Sequence, residues 1–93
     1  MPLYWISYDL DKPGQDYTDL INRLRQWKAT RILKSDWLLP HNNTTPETIR
    51  KDLEQYLDNN DRIMVSEVRR NAAWRNLLIS DADVLSLFNN ATL

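Results

Sequence analysis

The chain predicts an α+β fold, and three observations carry that expectation. The opening run Leu3-Tyr4-Trp5-Ile6-Ser7-Tyr8-Asp9 is dense in aromatic and branched residues and ends in acid, as a strand reaching the rim of a sheet does. Two later stretches repeat apolar residues at three- and four-residue steps, the spacing of an amphipathic helix. Short extended runs alternate with those helices.

The first strand is predicted over Leu3 to Asp9. Tyr4, Ile6 and Tyr8 fall on one face, and Leu3, Trp5, Ser7 and Asp9 on the other. Both faces are largely apolar near the start, which suits a central strand covered on both sides. Pro13-Gly14 break the chain, and Asp16 is the expected N-cap of a helix running to Lys28. Its stripe is Tyr17, Leu20, Ile21, Leu24 and Trp27. Thr30 to Pro40 is extended, either as one long strand or as a hairpin turning near Lys34-Ser35. The hairpin is preferred, with Arg31-Ile32-Leu33 and Trp37-Leu38-Leu39 as its arms, although no Asn-Gly turn signal is present.

Thr44 or Thr45 caps a second helix, Pro46 suits its first turn, and Thr44 with Glu47 has capping-box spacing. Ile49, Leu53, Tyr56 and Leu57 form its apolar stripe. Asp58-Asn59-Asn60-Asp61 ends it, since Asn tolerates left-handed backbone. Arg62 to Val68 is the last clear strand. Asn71 to Asn76 is a turn, Leu77-Leu78-Ile79 a candidate short strand, and Ser80 caps a helix over Ala82 to Phe88 with Val84, Leu85 and Phe88 on one side. This order is that of a ferredoxin-like βαββαβ sandwich with a C-terminal helical appendage. One domain is expected over 1–93, with its core at about 3–70 and the appendage at 71–93. Two helices would cover one sheet face. The other face, carrying Trp5, Ser7 and Asp9, would stay open as a dimer surface.

A chain of 93 residues buries only about 60–65% of the surface its unfolded form exposes. Four Trp and four Tyr add buried area and raise the expectation of an oligomer. Cysteine is absent, which excludes disulfides, a thiolate nucleophile and a Cys-ligated zinc site. The N-terminus lacks a signal-peptide pattern and no stretch is long enough to span a membrane, so a cytoplasmic location is expected. Net charge is −1, which argues against sequence-independent coating of DNA. The charges are segregated, however. Arg23, Arg25, Lys28, Arg31 and Lys34 lie in a stretch without acids, and Arg69, Arg70 and Arg75 form a second basic group. The competing explanations are a phosphate-binding face and ordinary solvated faces.

Three segments resemble the CRISPR-associated protein two family and the VapD toxin ribonucleases of the same fold. Ile6-Ser7-Tyr8-Asp9-Leu10 is similar to the family's strand ending in Tyr-Asp-Ile or Phe-Asp-Leu. Arg31-Ile32-Leu33-Lys34-Ser35-Asp36-Trp37 looks like its Arg-Ile-Gln-x-Ser-Val-Phe segment. Asn60-Asp61-Arg62-Ile63-Met64-Val65 resembles the Asp-x-Val-x-Val opening of its last strand. The resemblance covers about residues 3–70. It implies a homodimer acting on RNA or DNA as a Mg²⁺-dependent endoribonuclease. Asp9 would be the catalytic acid and metal ligand, paired across the dimer seam, with Ser35 as second catalytic residue and Arg23, Arg31 and Lys34 as a nucleic-acid-binding rim. Leu33 stands where the family has Gln, Asp36-Trp37 replace Val-Phe, and the Arg early in the first helix is missing. These departures favour the alternative, a non-catalytic dimer binding nucleic acid or protein on the same scaffold.

Other candidates compete with plainer roles. Asp11 and Asp16 are helper acids or, for Asp16, a helix cap. Asp36 pairs with Asp9 if their strands are adjacent. His41, the single histidine, lies in a polar loop and reads as a surface residue. Trp5 and Trp37 are the tryptophans to test for base stacking on an open sheet, while Trp27 fits helix packing.

Overall fold

The computed structural model describes residues 1–11 and 17–91. The elements are β1 (Leu3–Asp9), α1 (Thr18–Gln26), β2 (Thr30–Leu33), β3 (Asp36–Pro40), α2 (Pro46–Glu54), β4 (Arg62–Val68) and α3 (Asp81–Asn89). The strands form one sheet in the order β2-β3-β1-β4, and all neighbours are antiparallel. The fold is therefore α+β, with β1 central.

The alternation along β1 divides the molecule. Tyr4, Ile6 and Tyr8 enter a core with Leu20 and Leu24 of α1 and Ile49 and Leu53 of α2. Trp37 and Leu39 of β3 join the same core. Each such apolar side chain contributes roughly 1.5–3 kcal/mol by leaving water. Two buried hydroxyl and indole groups are satisfied within it: Trp37 Nε1 donates to the Tyr8 hydroxyl at 3.0 Å, and the Tyr4 hydroxyl donates to the Thr44 carbonyl at 3.1 Å. Burial first, then the charge of Glu67, pushes the Tyr4 hydroxyl pKa up.

The hairpin over residues 30–40 turns at Lys34-Ser35, as preferred from sequence. Its turn lacks Asn-Gly because a side chain holds it instead. Arg31 donates from Nε and Nη2 to the Lys34 carbonyl at 3.0 and 2.6 Å, beside an irregularity in the ladder between Arg31 and Leu33.

Several helix boundaries differ from expectation. Tyr17 occupies the N-cap position of α1, while Pro13-Gly14 and the expected cap Asp16 lie outside the described residues. The C-terminus of α1 runs into Lys28 at φ 63°, and Ala29 donates to the Leu24 carbonyl at 3.0 Å. Thr45, not Thr44, caps α2, accepting from the Thr48 amide at 3.1 Å. Glu47 is thus no capping-box partner but a surface neighbour of Lys51 at 3.3 Å. Neither Asn59 nor Asn60 adopts positive φ. The turn after α2 closes on the Asp61 carboxylate, which accepts the Asp58 and Asp11 amides, both at 2.8 Å. A carboxylate collecting amides makes left-handed Asn unnecessary there.

The largest difference is on the second face. Leu3, Ile32, Leu38 and Ala91 form a second core, with Leu77, Ile79, Leu87 and Phe88 packed against it. Part of the face expected to be open is therefore covered by α3 and the segment before it. Ser80 caps α3 as expected, accepting from the Asp83 amide at 3.1 Å. Leu87, not Leu85, faces the core, and Leu85 is 49% exposed. Leu77-Leu78-Ile79 is no strand. A single bond from the Leu78 amide to the Ile32 carbonyl, 2.9 Å, lays it along the β2 edge. No described helix is long and apolar enough to cross a membrane.

Candidate interface on the second sheet face

Register decides which expected site residues meet. Asp9 stands opposite Arg62 at the end of β1, and its Oδ2 accepts from Arg62 Nη1 at 3.1 Å. Their side chains are 73% and 82% exposed, so the pair is screened and worth at most about 1 kcal/mol. Asp36 stands opposite Ser7, whose hydroxyl donates to Asp36 Oδ1 at 2.7 Å. The expected Asp9–Asp36 carboxylate pair is therefore not formed, because β3 ends two residues short of Asp9. Ser35 sits in the β2–β3 turn, and its carbonyl accepts the Tyr8 amide at 3.1 Å.

Asp9, Ser35, Arg31 and Lys34 thus gather at one end of the sheet. Arg23 does not join them. It lies near His41 and Leu39, at the opposite end, and makes a two-toothed pair with Asp52 of α2 at 2.9 and 2.8 Å. The hydrogen bond from Arg23 holds the Asp52 carboxyl below its ordinary pKa, against the opposing effect of burial. Arg23 also stacks over Trp27 at 4.7 Å, which fixes that tryptophan as packing. His41 Nδ1 lies 2.7 Å from the Asn42 carbonyl, which can only accept, so Nδ1 carries the proton.

Trp37 is corrected by the same register. It stands opposite Ile6 and is buried on the helix side, with Arg31 over its ring at 5.4 Å. It presents no surface for a base. Trp5 does lie on the second face, half-buried, in the wall of an apolar groove of about 350 Å³. Ile32, Leu38, Val68 and Phe88 line the same groove, together with Asp36 and Arg69. Leu33, 42% exposed, belongs to the same lining, and beyond the groove toward Asp9 Met64 is 60% exposed. Sequence reasoning missed Arg62, Asp61 and Met64 as participants. Arg62 was recoverable by aligning the last strand antiparallel to the first, but Asp61 gives no local signal.

Among the described residues no three His, Cys, Asp or Glu side chains converge as a metal site. One protomer offers Mg²⁺ the Asp9 carboxylate, already held by a guanidinium, so within one protomer these residues do not fit the ion. No protein-family model matches the chain, and no solved structure matches it at a significant level.

Proposed function

We propose that this chain is a ferredoxin-like domain acting as a non-catalytic, homodimeric binding module, a divergent relative of the CRISPR-associated protein two and VapD proteins. The observation that carries the reading is the half-bare second face. Exposed Met64, with the apolar groove that exposed Leu33 helps to line, forms a patch that a monomer of this size gains by covering. The β2-β3-β1-β4 order supports the ferredoxin-like assignment. Nucleic acid is the ligand class supported by exposed Lys34 and by Arg31 at the same end of the sheet, and the reading places the protein in the cytoplasm. Sedimentation equilibrium is expected to show a dimer that Met64→Glu dissociates. Filter binding to RNA and DNA is expected to weaken with salt and with Lys34→Glu, and to be unchanged by Asp9→Ala. A monomer at every concentration, or absence of binding at low salt, removes the corresponding half of the proposal.

A second reading is favoured by one observation, the exposure of the Asp9 carboxylate at a strand end. It is the Mg²⁺-dependent endoribonuclease implied by the resemblance, in which two copies of Asp9 meet at the dimer seam and Ser35 assists. Cleavage of RNA with Mg²⁺ that Asp9→Ala abolishes is its test.

A further inference from the structure

The two edges of the sheet are unlike. β2 is short, its ladder is irregular between Arg31 and Leu33, and its outer side is met by the Leu78 amide, which donates to the Ile32 carbonyl at 2.9 Å. β4 has none of these devices. It runs in unbroken register with β1 from Arg62 to Val68, contains no proline, and has no described strand beyond it. An edge left regular and unpaired is a template for another strand.

Register shows which backbone groups face outward. The Tyr8 amide donates to the Ser35 carbonyl, so the backbone of Tyr8, and by alternation that of Ile6 and Tyr4, turns toward β3. Leu3, Trp5, Ser7 and Asp9 therefore turn theirs toward β4, where Val68, Ser66, Met64 and Arg62 stand opposite them. The free side of β4 is left with the amides and carbonyls of Ile63, Val65 and Glu67. Among the described residues their one hydrogen-bond partner is the Ser66 hydroxyl, which donates to the Glu67 carbonyl at 3.3 Å.

We propose that a second copy of this chain pairs antiparallel with β4 along this edge, about a two-fold axis at Val65, so that the two sheets continue as one. Backbone geometry selects the axis. With Val65 opposite its own counterpart, Ile63 stands opposite Glu67 of the copy, and every outward amide and carbonyl of the strand is paired. An axis at Met64 or Ser66 leaves one of the three outward residues without a partner in the other strand. Three features make the occupant a second copy. The two Met64 side chains, each 60% exposed, come to diagonal positions across the seam and cover one another. No like charges stand opposite, since Arg62 meets Val68 and Glu67 meets Ile63. Pairing also uses the one regular edge of each sheet, so assembly closes at two and does not grow into a fibre. The helix lying against β4 is α2, whose surface pairs Glu47 with Lys51 and Arg50 with Glu54, so no single sign builds up where two such helices come side by side. Asp9, opposite Arg62, lies three residues from the axis. Its two copies are then roughly 20 Å or more apart at strand rise, too far to share one ion.

This inference rests on the dimer reading, and the test separates the two. Residue-resolved hydrogen exchange is expected to show the Ile63, Val65 and Glu67 amides of the wild-type protein slowing at least tenfold from dilute to concentrated solution, as sedimentation equilibrium records the dimer. Val65→Pro removes an outward amide and no ladder bond within the molecule. It is expected to weaken association at least tenfold, with an unchanged circular dichroism spectrum. The chain has no cysteine, so Met64→Cys and Ser66→Cys variants each carry a single thiol. Mixed and oxidised, they are expected to form a 64–66 disulfide, because these positions stand opposite in a non-hydrogen-bonded pair. A wild-type dimer whose 63, 65 and 67 amides exchange as fast as in dilute solution overturns the edge pairing and leaves the dimer standing. A wild-type monomer at every concentration overturns both. Growth beyond the dimer overturns the two-fold axis, and a disulfide between two Asp9→Cys copies overturns it in favour of the nuclease geometry.

Discussion

Asp52 is the residue whose charge is most firmly tied to the fold. Its carboxyl is held below the ordinary range chiefly by the hydrogen bond from Arg23. A carboxyl with a depressed folded value contributes its stability in full above the unfolded value, near pH 4, and loses it as pH falls through the folded value. Asp52→Asn is therefore expected to lower unfolding free energy by about 1–2 kcal/mol at pH 7. The difference from wild type should shrink as pH falls through the lowered folded value. Urea titrations of both proteins at pH 7 and at successively lower pH check both statements. Lys28 carries the opposite opportunity. A non-glycine residue at φ 63° after a helix costs about 1 kcal/mol. Lys28→Gly is expected to raise stability by about 0.5–1 kcal/mol, read as a shift of the urea midpoint at constant slope.

The elements show where sequence was sufficient. β1 was legible because Tyr4, Ile6 and Tyr8 alternate against Trp5, Ser7 and Asp9, and the two sets do enter opposite sides of the sheet. β4 was legible from a run of branched residues after an acidic turn. The α2 start was legible only to within a residue, because Thr44 and Thr45 are chemically equal. What separates them is the backbone: Thr45 has the extended conformation of an N-cap, φ −133° and ψ 159°, and its side chain accepts the Thr48 amide. Thr45→Ala is accordingly expected to cost about 1 kcal/mol, against a few tenths for Thr44→Ala. Paired urea titrations with both variants distinguish them. In α3 the spacing of Val84, Leu85 and Phe88 was consistent with an inward stripe, but the sheet it docks on selects Leu87 over Leu85. Val84 and Phe88 are compatible with either Leu85 or Leu87 as the third member of the stripe, so period alone does not fix which leucine turns inward.

At the scale of the whole molecule, the candidate site was legible in part. Sequence placed Asp9, Ser35, Arg31 and Lys34 near one another, and they do share one end of the sheet. It also enlisted Arg23, which lies at the other end because α1 runs back along the sheet before Arg23 meets Asp52. The covering of the second face was not legible, since Arg69 to Ser80 contains little periodicity to say where the last helix goes. Trp74 settles that path by stacking on Phe88 at 5.9 Å and donating to Asp81 at 3.1 Å. Phe88→Ala removes both that ring contact and a wall of the groove. It is expected to cost about 3 kcal/mol in thermal or urea unfolding.

The sheet separates two bodies of apolar side chains that share no members. Each is a candidate unit of partial melting, and the thinner one should let go first. Backbone amides in 81–89 should then exchange with deuterium well before those of β1. Warming short of global collapse would strip one side of the molecule while the other stays intact, and the chain would briefly offer a long greasy shelf to whatever it met.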